Sequence, residues 1–201
     1  MQKLKERILK DGQVIGTEII KVDSFLNHQI DVELLSEIGE EFAKRYANRG
    51  INKILTIEAS GIAIACVVAW HMGCLPVVFA KKAAPSTMID GFYSTEVTSF
   101  TKRSVSKVMV SKKYLSKGDN VLIVDDFLAH GEAATGLANL VEQAGATVCG
   151  IGAAIEKEFQ GGSQKLRQKG YRVESIVVIT SIQDGHITFK TKSNTKGEGE
   201  K

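Results

Sequence analysis

The sequence has few of the features that mark membrane-spanning or nucleic-acid-binding proteins. Its longest apolar stretch, residues 61–70, is too short to cross a bilayer, and the charged amino terminus lacks the apolar core of a signal peptide. The formal net charge of +3 is too small to indicate a nucleic-acid partner. Cys66, Cys74 and Cys149 are odd in number, lie in apolar surroundings and lack the close pairing of a zinc site, so we expect small core residues. These absences favour a cytoplasmic location.

The composition is that of an ordinary globular protein, with 43% hydrophobic and 24% charged residues. A length of 201 residues suits one α/β domain. We expect this domain to cover residues 1–189 and a disordered Ser/Thr/Lys/Gly/Glu-rich tail to cover residues 190–201. Residues 19–29 are aromatic-bearing and show no clean period, so the first 32 residues are a candidate substrate hood.

The most informative stretch is VLIVDDFLAHGEAATG at residues 121–136. Its four branched apolar residues predict a strand buried on both faces, and a helix is predicted from Glu132. Asp125 and Asp126 then lie at the carboxyl end of the strand, where open α/β sheets bind ligands. Two carboxylates can accept hydrogen bonds from vicinal hydroxyls, and a helix start can bind phosphate, so the stretch predicts a site for a phosphorylated polyol. The alternative is an acidic turn in which Asp126 merely caps the helix.

Two further strand ends carry residues suited to anions. The predicted strand 53–57 runs through a small-residue turn, residues 58–61, into an apolar helix over residues 62–70, which indicates a second anion cradle. Lys81 and Lys82 follow the strand predicted over residues 76–80 and could neutralise an anionic leaving group. An ordinary strand-to-helix turn and a solvated lysine pair are the alternatives.

Other patterns complete the prediction. An amphipathic helix follows Asp31 and is ended by Gly50. Residues 83–107 are polar with little periodicity and predict either a mobile lid or a disordered surface loop, and a strand is expected to follow over residues 105–110. A Gly- and Ala-rich strand over residues 147–155 is followed by Lys157, whose ammonium can donate to a ring carbonyl or ring nitrogen. A helix over residues 164–169 and strands over residues 172–182 and 185–189 close the pattern.

Several separate motifs in this order resemble the type I phosphoribosyltransferases, and the whole chain to about Phe189 is similar to the xanthine phosphoribosyltransferases of bacterial purine salvage. Besides residues 121–136, the motifs are KVDSFLNHQID at 21–31, TIEASGI at 56–62, PVVFAKK at 76–82 and IEKEFQ at 155–160. The resemblance implies an α/β fold with a doubly wound, mainly parallel sheet, a small N-terminal hood and a flexible lid loop.

The resemblance also implies a reaction: transfer of ribose 5-phosphate from 5-phosphoribosyl 1-pyrophosphate (PRPP) to xanthine, giving xanthosine 5'-monophosphate and pyrophosphate. Mg2+ bound mainly through PRPP is the implied cofactor, and a homodimer without nucleic-acid or membrane partners is the implied state. The implied catalytic residues are Asp125, Asp126 and Lys81. The residues implied to contact the purine are Ile20, Asn27 and Lys157. The 5-phosphate cradle, here called the phosphate loop, comprises Ala129, His130, Gly131, Glu132 and Ala133. The pyrophosphate turn comprises Glu58, Ala59, Ser60 and Gly61, in which the family often has a non-proline cis peptide. Plausible lid contacts are Tyr93, Ser99, Lys102 and Arg103.

Four positions depart from the family pattern. Ile20 replaces a common leucine, Ala59 a serine, His130 an asparagine and Glu132 a glutamine. A carboxylate pointing toward phosphate would weaken PRPP binding, so we expect the Glu132 side chain to face solvent at the helix start.

Other functions are weighed against this one. Lys157 can only donate, which favours an oxo-bearing base over adenine but leaves guanine and hypoxanthine open. A PRPP-sensing regulator would need a DNA-binding segment and a basic face, and a non-enzymatic nucleotide-binding module would have no use for a polar lid and Lys81.

Overall fold

The structure, a computed structural model, describes residues 1–82, 91–99 and 104–191, without the side chains of Ser99 and Ser104. In chain order, the elements in these ranges are α1 (Gln2–Asp11), β1 (Gln13–Ile15), β2 (Ile19–Lys21), α2 (Val32–Arg45), β3 (Lys53–Ile57), α3 (Gly61–His71), β4 (Val77–Ala80), β5 (Phe92–Ser99), β6 (Ser104–Ser111), β7 (Asn120–Leu128), α4 (Glu132–Gln143), β8 (Thr147–Lys157), α5 (Gly162–Gln168), β9 (Val173–Gln183) and β10 (His186–Phe189). A π-helical turn at Asp23–Asn27 and a 3-10 turn at Glu158–Gln160 lie between them.

A six-stranded sheet forms the centre, in the order β10-β9-β8-β7-β3-β4. Its strands are parallel except β10, which pairs antiparallel with β9 at one edge. Leu122 and Val124 of β7 pack into one hydrophobic cluster with α1, α2 and α3, whereas Val121 and Ile123 pack into a second cluster with α4. Because both faces of the strand are buried, the predicted doubly wound, mainly parallel sheet is confirmed.

The hood contains α1, the antiparallel pair β1 and β2, and the π-helical turn. Asp31 then starts α2 by accepting a hydrogen bond from Leu34 N at 3.1 Å, as expected for a cap. The helix ends at Arg45, five residues before the predicted stop at Gly50. Tyr46, which follows α2 directly, is buried and donates its hydroxyl to Ile151 O at 2.7 Å. Tyr46 continues the apolar face of the predicted helix because it packs into the core, although α2 itself ends one residue earlier.

The polar segment after β4 is more ordered than predicted where the structure describes it. Residues 92–99 and 104–111 form an antiparallel two-stranded ribbon, in register from Phe92 opposite Ser111 to Ser99 opposite Ser104. Val97 and Val108 are buried and pack into the cluster that contains α4. The strand expected over residues 105–110 is confirmed as part of β6, whereas the strand over residues 92–99 was overlooked because most of its residues are polar. Residues 83–90 and 100–103, which include Lys102 and Arg103, lie outside the described residues, as do residues 192–201 of the expected tail.

The prediction for two of the cysteines was wrong. Cys66 and Cys74 are exposed, Cys149 is partly buried, and all three are free thiols. Helix α3 is apolar around its whole circumference, so apolar neighbours in sequence do not determine which of its residues are buried. Its outer face exposes Cys66 and Trp70, the latter with 71% of its surface accessible. Within the described ranges, no helix is both long and apolar enough to span a membrane.

Candidate active site

A cavity of about 530 Å³ opens where β3, β7 and β8 end. It is bordered by the hood, the ribbon and the start of α4. Its lining includes Glu18, Ile19, Glu58, Ser60, Lys82, Val97, Thr98, Ser106, Val108, residues 125–134, Lys157 and Gln160. Most motifs singled out in the sequence therefore meet in one crevice at the carboxyl edge of the sheet, as expected for an open α/β fold.

The acidic pair lies inside β7 and not after it. The strand continues to Leu128 because β8 remains beside it, with Asp125 opposite Ala153. Asp126 N donates to Asp125 Oδ1 at 2.9 Å. Burial and the neighbouring Asp126 carboxyl raise the pKa of Asp125 well above its usual range, and the Lys82 ammonium opposes this increase. A group of this kind in a cleft indicates a functional role.

The phosphate loop connects β7 to α4, and all five of its residues line the cavity. Gly131 has a φ of +84° at the N-cap of α4, a left-handed conformation that glycine adopts without strain. Glu132 is partly buried and belongs to the lining, whereas the sequence interpretation placed its side chain in solvent. The loop leads directly into the start of α4, where free backbone N-H groups can bind an anion, and its binding of phosphate stays a prediction.

The pyrophosphate turn connects β3 to α3, and its Glu58–Ala59 peptide bond is cis. Glu58 and Ser60 line the cavity, and Glu58 Oε1 accepts a hydrogen bond from Lys82 N at 2.6 Å. Gly61 packs closely against the sheet, since a Cβ atom there would lie 2.0 Å from Thr56 Oγ1 and 3.1 Å from Asp125 Oδ1. The turn and the acidic pair therefore touch, and only glycine permits this approach.

Of the two lysines after β4, Lys82 and not Lys81 lines the cavity. Lys81 exchanges two main-chain hydrogen bonds of 2.9 Å with Met109 of β6, and its ammonium lies 5.7 Å from the centre of the Phe79 ring. Successive side chains of an extended chain point to opposite sides, so the bridge to Met109 decides which lysine faces the cavity. The sequence contained no signal for that bridge.

Where the cavity meets the hood, Lys157 Nζ donates to the main-chain carbonyl of Glu18 at 2.9 Å. Burial lowers the pKa of Lys157, and the Glu18 carboxylate partly offsets this effect. The ammonium also lies 5.9 Å from the centre of the Phe127 ring. The ammonium of Lys157 is thus held between the hood and a ring from β7, and its contact with the base stays a prediction.

The other two residues expected to contact the base lie elsewhere in this structure. Ile20 is buried in the core beneath β2, and Asn27 is exposed; neither lines the cavity. Ile19 lines it instead of Ile20, since neighbouring residues of β2 alternate between its two faces, and so does Glu18, which precedes β2. Sequence reasoning missed both, because isoleucine at 19 and at 20 gives no sign of which face is turned inward. The roles of Ile20 and Asn27 in base binding stay predictions.

The fold and the cavity together define a doubly wound α/β protein whose crevice is bordered by two strand-to-helix turns and by Lys157. A family model described as "Phosphoribosyl transferase domain" matches residues 22–194. The chain belongs to this phosphoribosyltransferase family.

Named relatives extend this match over most of the chain. A xanthine phosphoribosyltransferase of Ruminiclostridium cellulolyticum is 54% identical over 94% of this chain and 99% of its own. A protein of the same name from Clostridium novyi is 54% identical over 94% of this chain and 100% of its own. The crystal structure of adenine phosphoribosyltransferase from Thermoanaerobacter pseudethanolicus matches with a TM-score of 0.65 and 28% identity, over 74% of this chain and 82% of that one.

Proposed function

We propose that the protein is a xanthine phosphoribosyltransferase, which converts xanthine and PRPP to xanthosine 5'-monophosphate and pyrophosphate. The observation that carries this proposal is the single cavity shared by the acidic pair, the phosphate loop, the pyrophosphate turn and Lys157. The choice of xanthine is supported by the names of relatives that are 51–54% identical over nearly their whole lengths.

In the proposed mechanism, binding groups act at both ends of PRPP. Backbone N-H groups of the phosphate loop and the start of α4 hold the 5-phosphate, while Asp125 and Asp126 accept hydrogen bonds from the ribose hydroxyls. The pyrophosphate turn and Lys82, with Lys81 as the sequence-based alternative, stabilise the negative charge that grows on the leaving group.

The chemical step breaks the bond from the anomeric carbon to the pyrophosphate oxygen and forms a bond from that carbon to a purine ring nitrogen. Positive charge develops on the ribose ring, and the partially negative carboxyl oxygen atoms of the acidic pair, which line the cavity, are suited to stabilise it whether or not Asp125 carries a proton. The proton on that purine nitrogen passes to solvent or to the released pyrophosphate, which balances the conversion. No covalent intermediate with the enzyme is needed.

Mg2+ is proposed to enter this site bound to PRPP. The described residues contain no cluster of three or more His, Cys, Asp or Glu side chains that could hold a metal. Two adjacent carboxyl groups are nevertheless oxygen donors of the kind Mg2+ accepts alongside phosphate oxygens. When bound with PRPP, Mg2+ would supply charge neutralisation on the pyrophosphate.

Lys157 is proposed to identify the base. Its ammonium already donates to one carbonyl oxygen, that of Glu18, and a purine oxo group can take the place of this acceptor. Guanine and hypoxanthine carry the same 6-oxo group and form the second candidate substrate class, whereas adenine has no oxo group.

The proposal is tested by measuring product formation with PRPP and Mg2+ against xanthine, guanine, hypoxanthine and adenine. Lys157→Met should reduce kcat/KM for xanthine about 10- to 150-fold, because a hydrogen bond from a charged group contributes about 1.5–3 kcal/mol. Lys190→Met is the matched control, since Lys190 forms an exposed ion pair with Glu158. Faster turnover of another base would refute the substrate, and PRPP binding without turnover of any base would favour a sensing protein.

We also propose that the chain forms a homodimer through the outer face of α3 and the adjoining edge strand β4. Trp70 of α3 and Phe79 of β4 expose large apolar side chains, and β4 is the last strand at its edge of the sheet, where edge strands invite pairing or coverage. Trp70→Lys should shift sedimentation toward the monomer. Tyr114→Lys is the control, because Tyr114 is a comparably exposed aromatic residue, 56% accessible, outside this face. A dimer unaffected by Trp70→Lys would disprove the assigned interface.

A further inference from the structure

A buried carboxyl group that the proposed chemistry does not use lies directly behind the cavity. Glu156 is the residue before Lys157 on β8 and is 1% exposed. It accepts a hydrogen bond from Ser163 Oγ through one carboxyl oxygen and another from Ser175 Oγ, at 2.6 Å, through the other. Successive residues of a strand face opposite ways, so Glu156 points away from the side that Lys157 occupies.

Ser163 connects this carboxyl group to the phosphate loop through its neighbour Gly162. Gly162 N donates to Ala129 O at 3.0 Å. A Cβ atom on Gly162 would lie 2.3 Å from Ala129 O and 2.6 Å from Gly131 N, so the two backbones are in direct contact. The start of α5 therefore forms the outer support of the loop expected to hold the 5-phosphate.

The strands provide a second connection. Glu156 is opposite Leu128 in the pairing of β8 with β7, and Leu128 is the last residue before the phosphate loop. Glu156 is thus linked to the loop from below by the sheet and from the side by Ser163 and Gly162. A shift of this carboxyl group would disturb both Lys157, its chain neighbour, and the phosphate loop.

We propose that Glu156, Ser163 and Gly162 form a positioning brace that sets the phosphate loop at the right distance from Lys157. This inference rests on the proposed function, since it assigns a role in binding the 5-phosphate of PRPP. The three residues touch no substrate. They fix the distance between the phosphate loop and Lys157. A displacement of about 1 Å between two such binding groups can lower the rate about 100-fold.

The chain offers a matched pair of variants that separates positioning from ordinary burial. Ser163→Ala and Ser175→Ala each remove one hydrogen bond from the same carboxyl group, but Ser175 lies on β9 and not beside Gly162. Both should lower the urea midpoint of unfolding. Only Ser163→Ala should weaken binding of ribose 5-phosphate, about tenfold by calorimetry, and raise the KM for PRPP by a similar factor.

A conservative variant adds the rescue test. Glu156→Gln keeps one accepting oxygen and a donor that a serine hydroxyl can accept, so its KM for PRPP should stay within about twofold of wild type. Should Ser163→Ala fail to fold, Gly162→Ala takes its place, because the added methyl group presses directly on Ala129 and Gly131.

The outcomes separate the brace from the proposed function. If wild type binds no ribose 5-phosphate and turns over no base, the proposed function itself fails. If wild type binds it and the two serine variants weaken binding equally, or neither does, the brace is refuted. Selective loss in Ser163→Ala, or in Gly162→Ala where that variant replaces it, with retention in Glu156→Gln supports it.

Discussion

Replacing Gly61 with alanine tests the contact between the pyrophosphate turn and the acidic pair. The new Cβ atom would lie 2.0 Å from Thr56 Oγ1 and 3.1 Å from Asp125 Oδ1. Real Cβ contacts essentially never fall below 3.0 Å, so the turn and β3 must separate by about 1 Å. A displacement of that size at a reacting centre costs about 100-fold in rate, and overpacking costs about 1–3 kcal/mol of stability. We therefore expect kcat/KM for PRPP to fall about 100-fold in Gly61→Ala.

A second substitution shows whether this contact is the cause. Thr56 Oγ1 is buried and has no hydrogen-bond partner among residues 1–82, 91–99 and 104–191. Thr56→Ala removes the clashing atom, so the double variant with Gly61→Ala should recover most of the lost activity. Thr56→Val retains a methyl group in the same space, so combined with Gly61→Ala it should recover none.

The assay is steady-state kinetics with varied PRPP, together with urea unfolding of each variant. Thr56→Ala alone should lose about 0.5–1.5 kcal/mol of stability for the deleted core atoms. The reasoning is refuted if Gly61→Ala keeps kcat/KM within threefold of wild type. Equal activities of the two double variants would also refute it, because the clash would then not explain the loss.

Three further predictions concern charge and the ribbon. Asp125→Asn should abolish turnover yet raise the free energy of unfolding at neutral pH by about 0.5–2 kcal/mol. The sign follows from the raised pKa of Asp125: between the pKa of the unfolded chain and that of the native state, only the native state keeps the proton, so wild-type stability falls as pH rises. The advantage of Asn should vanish below about pH 4, where both states are protonated. An advantage that persists in acid would contradict this. Lys82→Met should raise the KM for PRPP more than Lys81→Met, because only Lys82 lines the cavity, and the reverse order in kinetics would restore the sequence-based choice. Gly136→Ala should lower kcat/KM by pushing the ribbon off α4, since its Cβ would lie 2.4 Å from Val97 Cγ2. Adding Val97→Ala should partly restore kcat/KM. If Gly136→Ala leaves the kinetics unchanged, the packing of the ribbon against α4 does not matter for activity.

Much of the fold was predictable from apolar patterning. The four branched residues before Asp125 predicted a strand buried on both faces, and the structure places that strand beside β3 and β8 inside the sheet. The predicted strand 53–57 coincides with β3. Boundaries were less predictable, because β7 continues through the acidic pair for as long as β8 supplies hydrogen-bond partners. Pairing of that kind depends on a neighbour far away in sequence.

The site was predictable as a set of motifs but less so as a set of side chains. The phosphate loop and Lys157 line the cavity as the sequence indicated. The choice between Lys81 and Lys82, and between Ile19 and Ile20, depends on which face of an extended segment is turned inward. Both members of each pair are the same residue type, so the residue type does not indicate which one faces the cavity. The bridge between Lys81 and Met109 decides the first case, and the burial of Ile20 in the core decides the second.

On the role proposed for Lys157, its hydrogen bond to Glu18 O makes the hood an internal competitor for the base. The fraction of molecules with this bond open multiplies the intrinsic affinity, so a base binds more weakly than its own contacts with Lys157 would allow. Loosening the hood would then tighten base binding without adding any contact to the base. A segment that never touches the reacting atoms would in this way set the concentration at which the enzyme responds to its acceptor.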